Sequence, residues 1–363
     1  MKMGMIVATA AAAVLGLGGA FLVFANVPVR LPPPTGPYGV ASRPLSLPSD
    51  QTSLATPIAE IWYPVDGDAG SVPRSGAPLP VLIYLPSWSG TEVEDMFLIR
   101  DLVSHGFVVT GLRYPSASEV AEGKNRGIAL RTEAPGDMDF SSQAAFDQTR
   151  ALGDEKARSR ARNVVEVLDR LTRLDQDEGS DFTRRLDLDH IGVWGFSLGG
   201  AAAAQAAWLD RRLKAVVNLD GWLFADAAVQ GVPCPYLLIG DGTPLPSTAD
   251  LTASDPQRRY RAIFDLEDYN RQIAGLTRHG GFVVTIDGTD HLNFSDAAAR
   301  SRFRRLPGAG SIDPTRALVI TADYLRAFFG ASLLGQPAPG LRGDPPGFPE
   351  VHVKAYGRGD AGS

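Results

Sequence analysis

The chain has 363 residues, with 35 basic against 41 acidic side chains and a formal net charge of −6. That balance argues against a nucleic-acid binder, which presents a basic face. A content of 44% hydrophobic and 21% charged residues is too apolar for a disordered chain and too charged for a multispanning membrane protein. The single cysteine, Cys234, excludes an intrachain disulfide and a Cys-rich metal site, and His105, His190, His279, His291 and His352 show no metal-ligand spacing.

At the N-terminus, Lys2 precedes a stretch from Met3 to Val29 without a charge. It reads either as a secretory signal, cleaved after Ala25 in Val23-Phe24-Ala25, or as a retained single membrane anchor. Both readings predict an exported body, secreted or periplasmic. Residues 1–30 are accordingly set apart from a catalytic domain over 31–334, which opens on the stiff linker Leu31-Pro32-Pro33-Pro34-Thr35-Gly36-Pro37.

From Tyr38 onward, short apolar runs alternate with amphipathic ones. The runs Ala59–Tyr63, Val81–Leu85, Phe107–Leu112, His190–Trp194, Ala215–Leu219, Tyr236–Ile239 and Phe282–Ile286 predict central strands. Apolar residues at helical spacing predict helices over Asp95–His105, Asp154–Leu174, Ala201–Leu209, Pro256–Arg278 and Pro314–Phe329. The alternation is that of an α/β fold with a mostly parallel sheet and helices on both faces. Ser116–Thr149 is polar and reads as an insertion, either a surface loop or a segment over the site. The Gly- and Pro-rich stretch 335–363 reads as a tail that wanders over the surface.

The segment after Trp194 carries the chemistry. Gly195-Phe196-Ser197-Leu198-Gly199 follows a strand and precedes the helix-forming Ala201-Ala202-Ala203-Ala204, the context of a nucleophile elbow. A serine hydroxyl is a poor nucleophile at neutral pH, so it must stand clear of the sheet on a tight turn within reach of a base. In elbow hydrolases the order along the chain is Ser, acid, His, which leaves His279, His291 and His352 as bases. His291, in Gly288-Thr289-Asp290-His291-Leu292-Asn293-Phe294, lies just past the last strand and is the candidate that can return to the elbow. His279 lies near a helix end before that strand, and His352 lies in the tail. Asp290 reads as a turn residue. Two carboxylates compete for the acid: Asp220, in Leu219-Asp220-Gly221-Trp222, and Asp241, in Ile239-Gly240-Asp241-Gly242.

These motifs resemble those of the platelet-activating factor acetylhydrolases and their bacterial relatives, within the α/β-hydrolase fold. The resemblance runs from about Gly36 to Phe329 and rests on Thr35-Gly36-Pro37-Tyr38, Ile61-Trp62-Tyr63-Pro64, Ser104-His105-Gly106-Phe107-Val108-Val109, the elbow, Leu219-Asp220-Gly221-Trp222 and His291-Leu292-Asn293-Phe294-Ser295-Asp296. It implies Asp220 as the acid beside Ser197 and His291. It also implies an oxyanion hole made by the backbone N–H groups of Trp88 and Leu198. Where the family often has a His-Gly pair, this chain has Pro86-Ser87-Trp88-Ser89-Gly90; backbone donors survive that change, and the acyl pocket need not.

Only a short interval separates Asp220 from Pro233, so no large cap domain is expected there. Trp88 and Trp222 read either as an apolar wall for an acyl chain or as ordinary packing. The expectation is an exported serine esterase needing no metal or organic cofactor and no protein or nucleic-acid partner; the resemblance implies small-molecule or lipid esters of short acyl chains, the sn-2 acyl groups of modified phospholipids among them. Contact with a membrane surface is left open. A secreted polyester or cutin esterase or lipase, an acyltransferase, and a non-catalytic binding protein of the same fold remain the alternatives.

Overall fold

The computed structural model describes residues 31–47, 56–66, 72, 76–90, 94–122, 138–301, 307–343 and 347–357. The expected signal or anchor over 1–30 therefore lies outside the described residues, as does 123–137 within the expected insertion. The strands are β1 (Gly39–Leu45), β2 (Ile58–Val65), β3 (Leu79–Leu85), β4 (Val108–Arg113), β5 (Leu186–Phe196), β6 (Leu213–Leu219), β7 (Tyr236–Asp241), β8 (Gly281–Ile286) and β9 (Val351–Tyr356). They form one sheet in the order β1-β2-β4-β3-β5-β6-β7-β8-β9. The six strands from β4 to β8 in that order run parallel, while β2 against β4, β1 against β2 and β9 against β8 are antiparallel.

Strand β3 explains why the middle of the sheet is covered on both faces. Val81, Ile83 and Leu85 point to one face and Leu82 and Tyr84 to the other, and all five are fully buried, as the two-residue period of a strand requires when both sides are packed. On the first face they meet Val164, Val167 and Leu171 of helix α3 (Gln143–Gln176) and Ala202 and Ala203 of α4 (Leu198–Leu209). On the second they meet Leu98 and Leu102 of α1 (Met96–Ser104) and Phe328 and Phe329 of α9 (Pro314–Leu334). Small helices α2 (Ala117–Ala121), α5 (Ala225–Gln230), α6 (Thr248–Leu251) and α8 (Asp296–Arg300), and the long α7 (Pro256–His279), complete the described residues together with two 3-10 turns. The mostly parallel sheet with helices on both faces is the expected α/β architecture, with only the short α5 between Asp220 and Pro233.

Three regions differ from expectation. Strand β1 was missed because it is an edge strand with mixed exposure and a proline, Pro44, so it offers no apolar run. Helix α3 begins at Gln143, eleven residues before its expected start at Asp154, and so absorbs the end of the expected insertion. The C-terminal stretch does not simply wander: Val351–Tyr356 pairs along β8, with Thr285 opposite His352 and Val284 opposite Val353. Its alternation Val-His-Val-Lys is that of an edge strand with one face on the core and one in water.

Leu341 and Val351 are 2% and 3% exposed, so this stretch is part of the second core. A chain ended after Leu334 should lose at least about 3 kcal/mol, at roughly 1.5–3 kcal/mol per buried aliphatic side chain. It should also self-associate through the bared edge of β8. Urea denaturation and light scattering check this, and unchanged stability with no association would refute it.

Candidate active site

The strand order reverses once, between the neighbours β3 and β5. At such a switch point, the loops after adjacent strands leave in opposite directions and open a crevice at the carboxyl ends. The loop Pro86–Gly90 leaves from β3 and the turn at Ser197 leaves from β5. Gly195 and Gly199 let them approach: a Cβ on Gly199 would lie 2.1 Å from the Leu85 carbonyl oxygen and one on Gly195 would lie 2.4 Å from the Gly199 carbonyl carbon. Ser197 itself has φ +57° and ψ −123°, a conformation that costs a non-glycine residue about 1–3 kcal/mol and persists only where its surroundings enforce it. Its N–H donates to the Leu219 carbonyl at 2.8 Å, and its own carbonyl accepts from Gly200 N–H at 2.9 Å. The strained turn is thereby tied to β6 on one side and to the first turn of α4 on the other.

The structure brings Ser197, His291 and Asp220 together. His291 Nε2 lies 3.1 Å from Ser197 Oγ, and Nδ1 lies 2.6 Å from Asp220 Oδ2. His291 opens a 3-10 turn (His291–Phe294) after β8, where Asp290 accepts from His291 N–H at 2.7 Å. Asn293 Oδ1 accepts from the N–H groups of Asp290 and Gly310. Asp290 is thus a capping residue, and the imidazole also lies against Phe196, ring centroids 4.7 Å apart. His279 instead contacts the Gln230 carbonyl, and His352 pairs with Asp287.

Asp220 is also held in the left-handed region, at φ +52°. Asn218 makes that turn: its Oδ1 accepts from Gly221 N–H at 2.9 Å and its Nδ2 donates to the Gly221 carbonyl at 2.7 Å. Tyr236, Gln272 and Asp268 extend the buried network. Asn218 Nδ2 donates to Tyr236 Oη, Tyr236 Oη to Gln272 Oε1, and Gln272 Nε2 to both the Gly221 carbonyl and Asp268. Asp268 accepts from Leu223 N–H at 2.6 Å, and burial raises its carboxyl to about 7. Asp241, the rival acid, does not touch His291 by any hydrogen bond among the described residues. Its side chain accepts from Thr243, while its backbone N–H donates to Asp220 Oδ1 at 3.1 Å. Burial first, and the charge of Asp220 second, raise the Asp241 carboxyl to about 6.

Burial pushes the His291 imidazole down, but the hydrogen bond and charge of Asp220 outweigh it, and the net direction is upward. Leu198 is the first residue of α4 and Trp88 sits in the β3 loop, so both expected backbone donors lie on the two loops that the switch point brings together. Trp88 and Trp222 are half-buried against Phe140, Phe146, Phe224 and Phe264, a cluster that includes Leu198 and Ala201 of α4. Trp222 lies 4.7 Å from Phe264 between ring centroids, and the Arg261 guanidinium sits 4.5 Å over the Trp222 ring. Phe140 belongs to the expected insertion, so the described end of that segment builds the aromatic wall.

Sequence reasoning missed the supporting side chains Asn218, Tyr236, Gln272, Asp268, Glu94 and Arg160. Two carried a signal. Asn218 is a polar residue inside an apolar strand, and Arg160 falls on the same helical face as Ala157, Ala161 and Val164, which are all fully buried.

A family model described as PET hydrolase-like matches residues 146–256, a span that takes in Ser197 and Asp220 and ends before His291. The platelet-activating factor acetylhydrolase of Bos taurus is 27% identical over 192 residues, 46% of this chain and 40% of that protein. A probable 1-alkyl-2-acetylglycerophosphocholine esterase of Arthroderma benhamiae is 25% identical over 289 residues, 75% of this chain and 65% of that one. The matches span less than two thirds of the length of these relatives. Among solved structures, a ferulic acid esterase from Streptomyces cinnamoneus superimposes with a TM-score of 0.65 at 21% identity, covering 89% of this chain and 98% of that one.

Replacing Asp220 by Asn should leave burial as the main influence on the His291 ring, so its titration should move down, below the ordinary histidine value near 6.5. NMR titration of the ring measures this. A larger downward move in Asp241→Asn than in Asp220→Asn would mean that the wrong carboxylate is paired with the histidine. The chain has the α/β-hydrolase fold, and by sequence it is similar to the platelet-activating factor acetylhydrolases, the resemblance that its own motifs imply.

Proposed function

We propose that the chain is a serine carboxylic-ester hydrolase in which Ser197 is the nucleophile, His291 the general base and Asp220 the orienting acid. The observation that carries this reading is the continuous hydrogen-bonded path Asp220–His291–Ser197, with distances of 2.6 and 3.1 Å, ending on a strained serine at the mouth of the sheet. Ser197 Oγ attacks the ester carbonyl carbon as its proton passes to His291 Nε2. The carbonyl oxygen gains negative charge and takes hydrogen bonds from Trp88 and Leu198 N–H. Collapse expels the alcohol, protonated by His291, and leaves an acyl-serine. Water, deprotonated by the same histidine, then releases the carboxylic acid. Asp220 holds the Nδ1 proton and stabilises the imidazolium without taking that proton.

The similarity to proteins named acetylhydrolases and glycerophosphocholine esterases supports short acyl esters, including acetylated phospholipids, as substrates. The half-open aromatic wall at Trp88 and Trp222, with no large cap among the described residues, suits a short acyl group better than a long one. A second reading, a polyester esterase, is favoured by the PET hydrolase-like match alone. The uncharged N-terminal stretch supports export, with the enzyme secreted, periplasmic or anchored.

Ser197→Ala should abolish fluorophosphonate labelling and leave only the roughly 10³- to 10⁴-fold acceleration over water that binding and the oxyanion hole supply. Asp220→Asn should lower kcat on the order of 10⁴-fold, because the amide selects the wrong histidine tautomer, and Asp241→Asn should cost far less. Wild-type turnover in a folded Ser197→Ala variant would refute the mechanism, and the reverse ranking of the two acids would transfer the orienting role to Asp241.

Kinetics on acetyl, butyryl, octanoyl and palmitoyl esters below and above their solubility limits test the substrate class. Activity should decline from short to long chains, with no jump when aggregates form. Preference for palmitoyl would identify a lipase, and preference for an aromatic polyester film over all soluble esters would favour the second reading.

A further inference from the structure

Helix α3 sends two charged side chains into the interior beside the β3 loop: Lys156, whose ammonium lies 5.4 Å over the Trp88 ring, and Arg160. Arg160 is fully buried, and its guanidinium donates to three consecutive carbonyl oxygens: Nη1 to Pro86 at 2.8 Å and to Ser87 at 2.5 Å, and Nη2 to Trp88 at 3.1 Å. The same group lies 4.6 Å over the Tyr114 ring. From the other side, Glu94 takes both donors of Ser87, the N–H at 2.8 Å and the hydroxyl at 2.7 Å. Tyr114 N–H closes the loop on the Gly90 carbonyl at 2.6 Å.

The Ser87 carbonyl and the Trp88 N–H belong to one peptide unit. In a planar trans peptide they point in opposite directions. A guanidinium that captures the Ser87 oxygen therefore turns the Trp88 N–H away from α3. A formal positive charge on the carbonyl side also polarises the whole amide, which makes its N–H a stronger donor. We propose that Arg160 is a positioning residue for ester hydrolysis: by holding the Pro86, Ser87 and Trp88 carbonyls it aims and polarises the Trp88 N–H that receives the developing oxyanion. Arg160 and Glu94 hold the carbonyl and the N–H of the preceding Pro86–Ser87 peptide from opposite sides, which fixes the point from which the Ser87 carbonyl swings into the guanidinium. The inference rests on the proposed roles of Ser197 and of the Trp88 N–H. It goes beyond them in naming a side chain that never meets substrate.

An arginine held only for packing would be replaceable in proportion to the fold that survives. One that aims an oxyanion donor acts on the transition state, so its loss must lower kcat more than it raises KM. The test uses the full chain carrying Arg160→Gln or Arg160→Lys, below the melting temperature of each, with competent sites counted by fluorophosphonate titration. Loss or misplacement of one oxyanion donor costs on the order of 10²-fold in kcat. Arg160→Gln should accordingly lose about 100-fold in kcat per titrated site, and Arg160→Lys, which keeps the charge without the fork, about 10-fold. KM should stay within about threefold in both, as for an interaction made mainly in the transition state.

A trifluoromethyl ketone, which forms a tetrahedral oxyanion on the serine, should lose affinity in step with kcat, while its unfluorinated analogue should not. Parent-like kcat per titrated site overturns the proposal, and so does an equal loss of affinity for the two ketones. If Arg160→Gln does not fold, the lysine variant decides by the same criteria. Absence of labelling in the unsubstituted chain would instead strike the serine-hydrolase reading itself, and this proposal with it.

Discussion

A single reversal of strand order, between β3 and β5, is the constraint on which the site depends. It sets the ends of two parallel strands side by side with their loops diverging, so that Pro86–Gly90 and the Ser197 turn share one crevice. The remaining parts follow from counting strands outward. Asp220 follows β6, Asp241 ends β7 and His291 follows β8, so the histidine loop must pass back over the end of β7 to reach the serine. That crossing leaves Asp241 half-buried. It also explains the use of the Asp241 backbone N–H, which supports Asp220 where the side chain cannot reach the histidine.

Two non-glycine residues of the site, Ser197 and Asp220, have positive φ, and strain of that kind needs an external restraint. The restraint for Asp220 is the chain of buried polar groups Asn218, Tyr236, Gln272 and Asp268, which together occupy the Gly221 and Leu223 backbone groups. Buried polar networks of this kind specify one geometry because every alternative leaves a donor or acceptor without a partner. Asp268 belongs to that network with its carboxyl raised to about 7 by burial. The folded protein therefore holds this proton more tightly than the unfolded chain. Stability contributed by protonated Asp268 is present at acid pH and declines as pH rises from the unfolded carboxylate range through about 7.

The seven apolar strands and the five long helices were legible because each buries a face, and burial writes periodicity into the sequence. The elbow and His291 were legible because their residue types are chemically restrictive and their order follows the strands, whereas that order left Asp220 and Asp241 both open and only the family resemblance singled out Asp220. Edge strands β1 and β9 were hidden for a physical reason: one face of each is in water, so half of their residues are unconstrained by the core. The supporting side chains were hidden for another. Arg160 and Gln272 act on backbone carbonyls from distant parts of the chain and Glu94 on a backbone amide of its own loop, and backbone partners leave no imprint on the composition of the segment they hold.

Helix α3 shows what such concealed support means for the molecule. One continuous helix carries Phe146 to the aromatic wall, Arg160 to the β3 loop, and Val164, Val167 and Leu171 to the core. At 1.5 Å of rise per residue, the aromatic wall and the β3 loop are served by positions roughly 20 Å apart along one rigid axis. The end of the expected insertion enters this axis directly, since Ser142 caps the helix and Thr149 bonds back to Asp139. Registration of α3 against α4 therefore sets two things at once, the shape of the wall beside Ser197 and the aim of the peptide at Trp88. A change that shifts α3 by a fraction of a turn cannot alter one without the other. Side chains on α3 that touch neither Ser197 nor its partners are, for that reason, under the same geometric constraint as those that do.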